Sequence, residues 1–197
     1  QIDCELSMKI NLKKKNLFVT YHPETNNLNF TLRDLESLLS ALEELENTGI
    51  IFSLPNADTY FSSFITRINT FVAQKKCSRW AFSSLGQKKY FSLLQYVDAV
   101  VGNSSSGVLE APSFQIASIN IGDRQTGRLK AKSVIDVQAN KKEILNAIER
   151  VYTKDFLKIL SKVKNPYFIE QTASKVVELL LTNEITNRPK KFYDIVY

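Results

Sequence analysis

The densest run of residues able to hold an anion is Gly102-Asn103-Ser104-Ser105-Ser106-Gly107, directly behind the apolar stretch Ala99–Gly102. Small residues let a phosphate approach the backbone, hydroxyls add donors, and the amides that open a helix have no intrahelical partner. A helix N-cap with extra serines gives the same pattern, so phosphate binding and plain capping both stay open on these residues alone. Glu110 follows Ser104 by a few positions, which on a continuous helix is roughly 9 Å towards the far end. That reach suits a carboxylate accepting from two ribose hydroxyls, with a surface salt bridge as the alternative. Pro112 predicts that this helix is short or kinked, because proline removes a hydrogen bond and clashes with the preceding turn.

A second station is Gly122-Asp123-Arg124-Gln125-Thr126-Gly127-Arg128. Arginines on a glycine-bounded loop can fork around phosphate oxygens, and Arg124 is the favoured ligand residue. Asp123 offers the opposing reading of an internal ion pair in a structural loop. His22, the only histidine, ends an apolar run and is held by Pro23. It stands as a candidate for the ligand edge, for catalysis or for simple packing. Asn56, in Pro55-Asn56-Ala57-Asp58, is placed in the same way after its own apolar run. Its bland reading is a turn with Asp58 as the helix cap. Around these stations there is no paired set of carboxylates, no cluster with metal-ligand spacing and no Ser–His–Asp set. The expectation is therefore no metal and no cofactor, with phosphate holding legible and proton transfer not.

The elements that must position these residues follow from periodicity. Asn16–Tyr21, Gly49–Pro55, Trp80–Ser83, Ala99–Gly102, Ala117–Ile121 and Val134–Val137 read as strands. Leu32–Asn47, Asp58–Lys76, Gln87–Tyr96, a short segment from Ser106, Lys141–Tyr152, Lys154–Lys162 and Gln171–Thr182 read as helices. Thr31 with Asp34 is read as a capping box in front of the first helix. Alternating strands and helices, with strands that are apolar throughout, predict an α/β fold: a Rossmann-like, doubly wound parallel sheet covered on both faces. Residues 1–15 are expected to be a lead-in, 16–183 the domain and 184–197 a tail. In such sheets ligands bind beyond the carboxyl ends of the strands, where all the stations above fall.

The bulk numbers narrow the class. With 197 residues, 44% hydrophobic and 23% charged, the chain is an ordinary globular domain. No apolar run reaches the ~20 residues of a membrane span, and the start lacks a signal-peptide core. The two cysteines, Cys4 and Cys77, make no disulfide framework, so a reduced cytoplasmic setting is expected. A net charge of +6 allows a polyanion face. The lysines fall in scattered pairs without interleaved aromatics, however, which favours solvated surface and disfavours nucleic acid.

Together, VVGNSSSGVLEAPSF, INIGDRQTGR, the YHPET strand end, LPNAD and KKFYDI resemble the hydrolysing UDP-N-acetylglucosamine 2-epimerase family, over nearly all of Leu17–Ile195. Bacterial members feed sialic acid or related nonulosonic acid synthesis. The resemblance implies two Rossmann-like domains facing each other across a cleft, the arrangement called GT-B, of which this chain matches the C-terminal one. It implies that Ser104 and Ser105 hold the diphosphate of a UDP-sugar, that Arg124 adds charge to it and that Glu110 takes the ribose. His22 and Asn56 would line the nucleotide cleft, and the Leu85-Gly86 turn would meet the uracil. The acid and base carboxylates would belong to the N-terminal domain, so the fragment alone is expected to be inactive. SSSGVLE and GDRQTGR favour the hydrolysing branch, which loses the C2 proton, eliminates UDP and hydrates the glycal. The expected partners are the UDP-sugar and that N-terminal domain, with a homo-oligomer left open. The terminal aromatics Phe192 and Tyr193, with Ile195 and Val196, are expected to be exposed or poorly ordered. Rival readings are the donor-binding half of a GT-B glycosyltransferase, a non-catalytic nucleotide or polyanion-binding module and, more remotely, a flavodoxin-like signalling domain.

Overall fold

The computed structural model describes residues 10–23, 28–55 and 62–182, the stretch 28–31 by its backbone alone. The chain divides into two compact units, Gln1–Pro166 and Tyr167–Tyr197.

In the first unit the strands are β1 (Lys15–Thr20), β2 (Thr48–Ser53), β3 (Arg79–Phe82), β4 (Ala99–Gly102), β5 (Ala117–Ile121) and β6 (Val134–Val137). Between and after them run α1 (Leu28–Glu43), α2 (Ser62–Gln74), α3 (Gly86–Leu94), α4 (Ser106–Leu109), a 3-10 turn at Ala111–Phe114, α5 (Lys141–Val151) and α6 (Lys154–Leu160). The strands form a single six-stranded sheet in the order β3-β2-β1-β4-β5-β6, with every pairing parallel. This is the doubly wound arrangement expected from the sequence.

The strands are apolar throughout because both faces are covered. Leu17 and Val19 of β1 enter the larger core with Leu38 and Leu42 of α1, Ile68 of α2 and Ile144 and Ile148 of α5. Phe18, between them, points to the other face and joins Ile51, Leu85, Leu93, Leu94 and Val100 in a smaller core. Fully burying a side chain of this size contributes ~1.5–3 kcal/mol, so neither face of the sheet can be left bare. Two helices on the larger core begin with side-chain caps: Asn140 accepts from the Lys142 and Glu143 amides ahead of α5, and Thr153 from the Phe156 amide ahead of α6. Such caps are worth ~1 kcal/mol each.

Most element boundaries fall within a residue or two of those read from periodicity. One correction concerns α1. It begins at Leu28, so Thr31 lies inside the helix and is not its cap. A β-branched residue is tolerated there at small cost, and the leucine spacing that follows gives no sign of the extra turn. A second concerns the helix after Ser104: it is short, as Pro112 predicted, and passes directly into the 3-10 turn. Asn56, Asp58 and the terminal aromatics lie outside the described residues. In the second unit, α7 (Thr172–Thr182) is the described helix.

Chain direction makes β1 and β4 special. From β1 the sheet grows one way to β2 and β3, then returns to place β4 on the other side of β1. The loops leaving β1 and β4 therefore diverge and open a crevice at their carboxyl ends. Thr20 pairs with Gly102, so the two strands end level and His22 emerges beside Asn103.

Candidate functional site

Each described station lies just past the carboxyl end of a strand: His22 after β1, Leu85 after β3, Asn103 to Ser106 after β4 and Arg124 after β5. A parallel sheet puts all those ends on one edge.

Gly102 sets the approach of β4 to β1. Its φ is +140°, and a Cβ there would stand 2.1 Å from the Thr20 carbonyl oxygen, so only glycine fits. Asn103 follows and is 1% exposed. Its Oδ1 accepts from the His22 backbone N–H at 2.7 Å and its Nδ2 donates to the His22 carbonyl at 2.8 Å. The Asn103 carbonyl accepts from Arg124 Nη1 at 3.1 Å and from Gln125 Nε2 at 2.8 Å. Three strand ends thus converge on one residue.

His22 is half-buried, with Nε2 3.4 Å from Thr20 Oγ1. Burial pushes its imidazole below the ordinary histidine value, and the Arg124 guanidinium acts in the same direction. The ring is therefore neutral at pH 7 and can accept or donate one hydrogen bond at each nitrogen. Arg124 is exposed, and only one of its five N–H groups is used on Asn103, leaving donors for an anion. Among the described residues no ion pair joins Asp123 to Arg124 or Arg128, which removes the internal-pair reading of that loop.

Ser105 is the residue before α4 and makes no side-chain cap. Ser104 Oγ accepts only a long 3.4 Å contact from the Ser106 amide. The first hydroxyls of this run are thus not consumed as caps. With four residues, α4 has too few aligned peptides for a full macrodipole, so any anion binding here rests on individual amides and hydroxyls.

Glu110 closes α4 and starts the 3-10 turn. It lies beside the Tyr90 hydroxyl from α3. Burial pushes the Tyr90 phenol up, and the neighbouring Glu110 charge adds to this. Tyr90 is therefore neutral throughout the physiological range, and its hydroxyl is buried without a well-formed hydrogen bond. Leu85, just ahead of α3, sends its side chain into the smaller core, which leaves its backbone at the turn with Gly86, where φ is +62°. One helix thereby relates the Leu85-Gly86 turn to Glu110 through Tyr90.

The structure thus brings His22, Arg124 and the serine run together through Asn103, and Glu110 together with α3. The residue pattern did not single out Asn103, Gln125 or Tyr90. Asn103 and Gln125 lie within the two stations, but asparagine in a Gly/Ser-rich turn reads as a turn former and glutamine in a polar loop as a surface residue. Tyr90 sits in an amphipathic helix with no outward sign of its neighbour. Elsewhere, a cavity of ≈ 500 Å³ is lined by Lys130, Lys132, Lys158, Lys162 and Lys164 over Ile159 and Val163. None of the ligand-edge residues lines it. Among the described residues there is no group of three or more His, Cys, Asp or Glu placed to hold a metal, and no helix long and apolar enough to cross a membrane.

A family model described as UDP-N-acetylglucosamine 2-epimerase matches residues 2–181. The chain is 35% identical over 181 residues to the GDP/UDP-N,N'-diacetylbacillosamine 2-epimerase (hydrolyzing) of Campylobacter jejuni, covering 92% of this chain and 47% of that protein. It is 34% identical over 198 residues to the polysialic acid biosynthesis protein P7 of Escherichia coli, covering 97% of this chain and 49% of that one. The chain therefore spans about half the length of the curated relatives it matches. Among solved structures, the UDP-GlcNAc 2-epimerase of Methanocaldococcus jannaschii superposes with a TM-score of 0.66 over 88% of this chain and 47% of that one, at 16% identity. At that identity the likeness speaks for the fold.

Proposed function

The chain belongs to the UDP-N-acetylglucosamine 2-epimerase family, and from that membership we propose that it is the nucleotide-holding half of a hydrolysing UDP-sugar 2-epimerase. The observation that carries the reading is the convergence at the β1–β4 crevice, where Arg124 and the His22 backbone both bond to Asn103 next to the serine run. It supports a diphosphate held by Ser104, Ser105 and Arg124. Glu110 then accepts from the ribose, the backbone at Leu85-Gly86 meets the base, and His22 lines the nucleotide side of the crevice.

The reaction breaks the C2–H bond of the sugar. Its electron pair forms the C1–C2 double bond as the C1–O bond breaks, and the diphosphate leaves with the C1–O pair. Water then adds its hydroxyl at C1 and a proton at C2 on the opposite face, giving UDP and the 2-epimeric free sugar. Negative charge grows on the leaving diphosphate, so donors fixed in advance stabilise the transition state more than the ground state. The base for the C2 proton is assigned to a companion half of the protein, which closes over the sugar. The sugar is UDP-N-acetylglucosamine or a related UDP-diacetamido hexose, and an exposed free Cys77 suits a reduced cytoplasmic setting.

Product analysis on a protein carrying both halves tests this. UDP and a free N-acetylmannosamine-type sugar are expected from UDP-N-acetylglucosamine, or the matching free sugar from the diacetamido substrate. A glycoside formed on an added acceptor would mean a glycosyltransferase. Epimerised UDP-sugar without free sugar would mean the non-hydrolysing reaction.

A further inference from the structure

Strand pairing between β1 and β4 ends at Thr20 and Gly102, yet the two chains remain tied one step further on. The Asn103 side-chain amide, a peptide group in miniature, exchanges both hydrogen bonds with the His22 backbone, at 2.7 and 2.8 Å. This extends the ladder by one rung made from a side chain. The same residue offers its carbonyl to Arg124 at 3.1 Å and to Gln125 at 2.8 Å. We propose that Asn103 is a positioning residue, fixing His22 and Arg124 relative to the serine run so that all face one ligand.

The chemistry selects asparagine. Aspartate would set a second acceptor against the His22 carbonyl, and alanine would leave both His22 backbone groups unpaired. Glutamine has the right groups but a methylene too many for a site that is 1% exposed. Gln125, 2% exposed, supports the arrangement from the other side by spending its amide on the Asn103 carbonyl. That carbonyl belongs to the peptide whose N–H is Ser104's. Two donors on the oxygen polarise the peptide and strengthen the Ser104 N–H as a donor. Asn103 touches no substrate in this scheme and acts through its neighbours. The identity of the ligand rests on the UDP reading above, whereas the positioning does not.

His22 is the single histidine of the chain, so its ring signals in an NMR titration need no assignment. In the unmodified chain they should titrate below the ordinary value of about 6.5. In Asn103→Ala the released loop hydrates the ring, and the titration should move up towards that value. UDP should also bind more weakly by about tenfold, the scale of one well-placed hydrogen bond. Gln125→Ala, which leaves the side-chain rung intact, should not move the titration. A folded Asn103→Ala whose His22 titrates as in the unmodified chain would overturn the proposal, whatever its melting temperature. If Asn103→Ala does not fold, hydrogen exchange on the unmodified chain decides. The His22 amide should be as protected as that of Val19, and exchange at an open-loop rate overturns the rung. A His22 shift without any UDP binding by the unmodified chain would sink the nucleotide reading while supporting the positioning role.

Discussion

Arg124 and Ser104 would offer a diphosphate different things. Arg124 is exposed and presents a full charge with spare donors, and charge-assisted hydrogen bonds contribute roughly 1.5–3 kcal/mol. Ser104 adds one neutral hydroxyl and leaves the amides in place when it is removed, for a loss of about 0.5–1.5 kcal/mol. In a protein with both halves, Arg124→Ala should therefore cost more UDP affinity than Ser104→Ala. It should also lower turnover, because charge grows on the leaving group. The His22 titration gives an independent check. Arg124 is the lesser of the two causes lowering it, after burial, so Arg124→Ala should raise it only part of the way to the ordinary value. An Arg124→Ala variant that unfolds, or one with unchanged affinity and turnover, would show that the arginine merely braces its loop through Asn103. At this scale the sequence was partly legible. Charged and hydroxyl residues after strands announce themselves, because nothing in a bare turn requires them. Asn103 and Tyr90 do not, because their significance lies in partners 81 residues away in one case and on another helix in the other.

Among the elements, the short strand β4 has the most demanding fit. Gly102 has φ +140° and lies so close to β1 that an added Cβ would sit 2.1 Å from Thr20 O and 2.7 Å from Thr20 C. No side chain can yield there, since both atoms are backbone. Gly102→Ala should thus either push β4 off β1 or force a backbone flip, at a cost above about 3 kcal/mol. The same movement would separate Asn103 from His22, so UDP binding should fall with stability. Denaturant unfolding measures the first and titration calorimetry the second; a stability loss below ~1 kcal/mol would mean that the strand end slides freely. The boundaries of β4, α4, β5 and β6 were readable because glycine, serine and proline punctuate short apolar runs. The start of α1 was not, because Thr31 and Asp34 imitate a cap while the helix runs on through them. The length of α4 was foreshadowed by Pro112, although its passage into a 3-10 turn depends on packing against β4 and β5.

The whole molecule sets the limit on what this chain can do by itself. It spans about half the length of its curated relatives, and its crevice holds groups suited to an anion more than to a carbon acid. Glu110 lies against Tyr90, and His22 is a neutral imidazole whose basicity is reduced by burial and by Arg124. Neither is a strong base aimed at a sugar carbon, and positioned acid–base groups typically contribute 10²–10⁴-fold. On the proposed reading, the chain without its companion half would also leave the ligand open to water, which would screen Arg124 from the growing charge. The chain alone should consequently bind UDP, weakly, and release no free sugar from UDP-N-acetylglucosamine. Adding the companion half should restore turnover without a large change in the contacts to the diphosphate. The comparison is made at matched concentrations, following free sugar by chromatography and UDP binding by calorimetry. Free-sugar release by the chain above roughly 1% of the two-half rate, the lower edge of that acid–base contribution, would place a competent base among the residues of this half. His22 would then be the first residue to replace, because it is the only described group at the crevice whose neutral form can take a proton at pH 7.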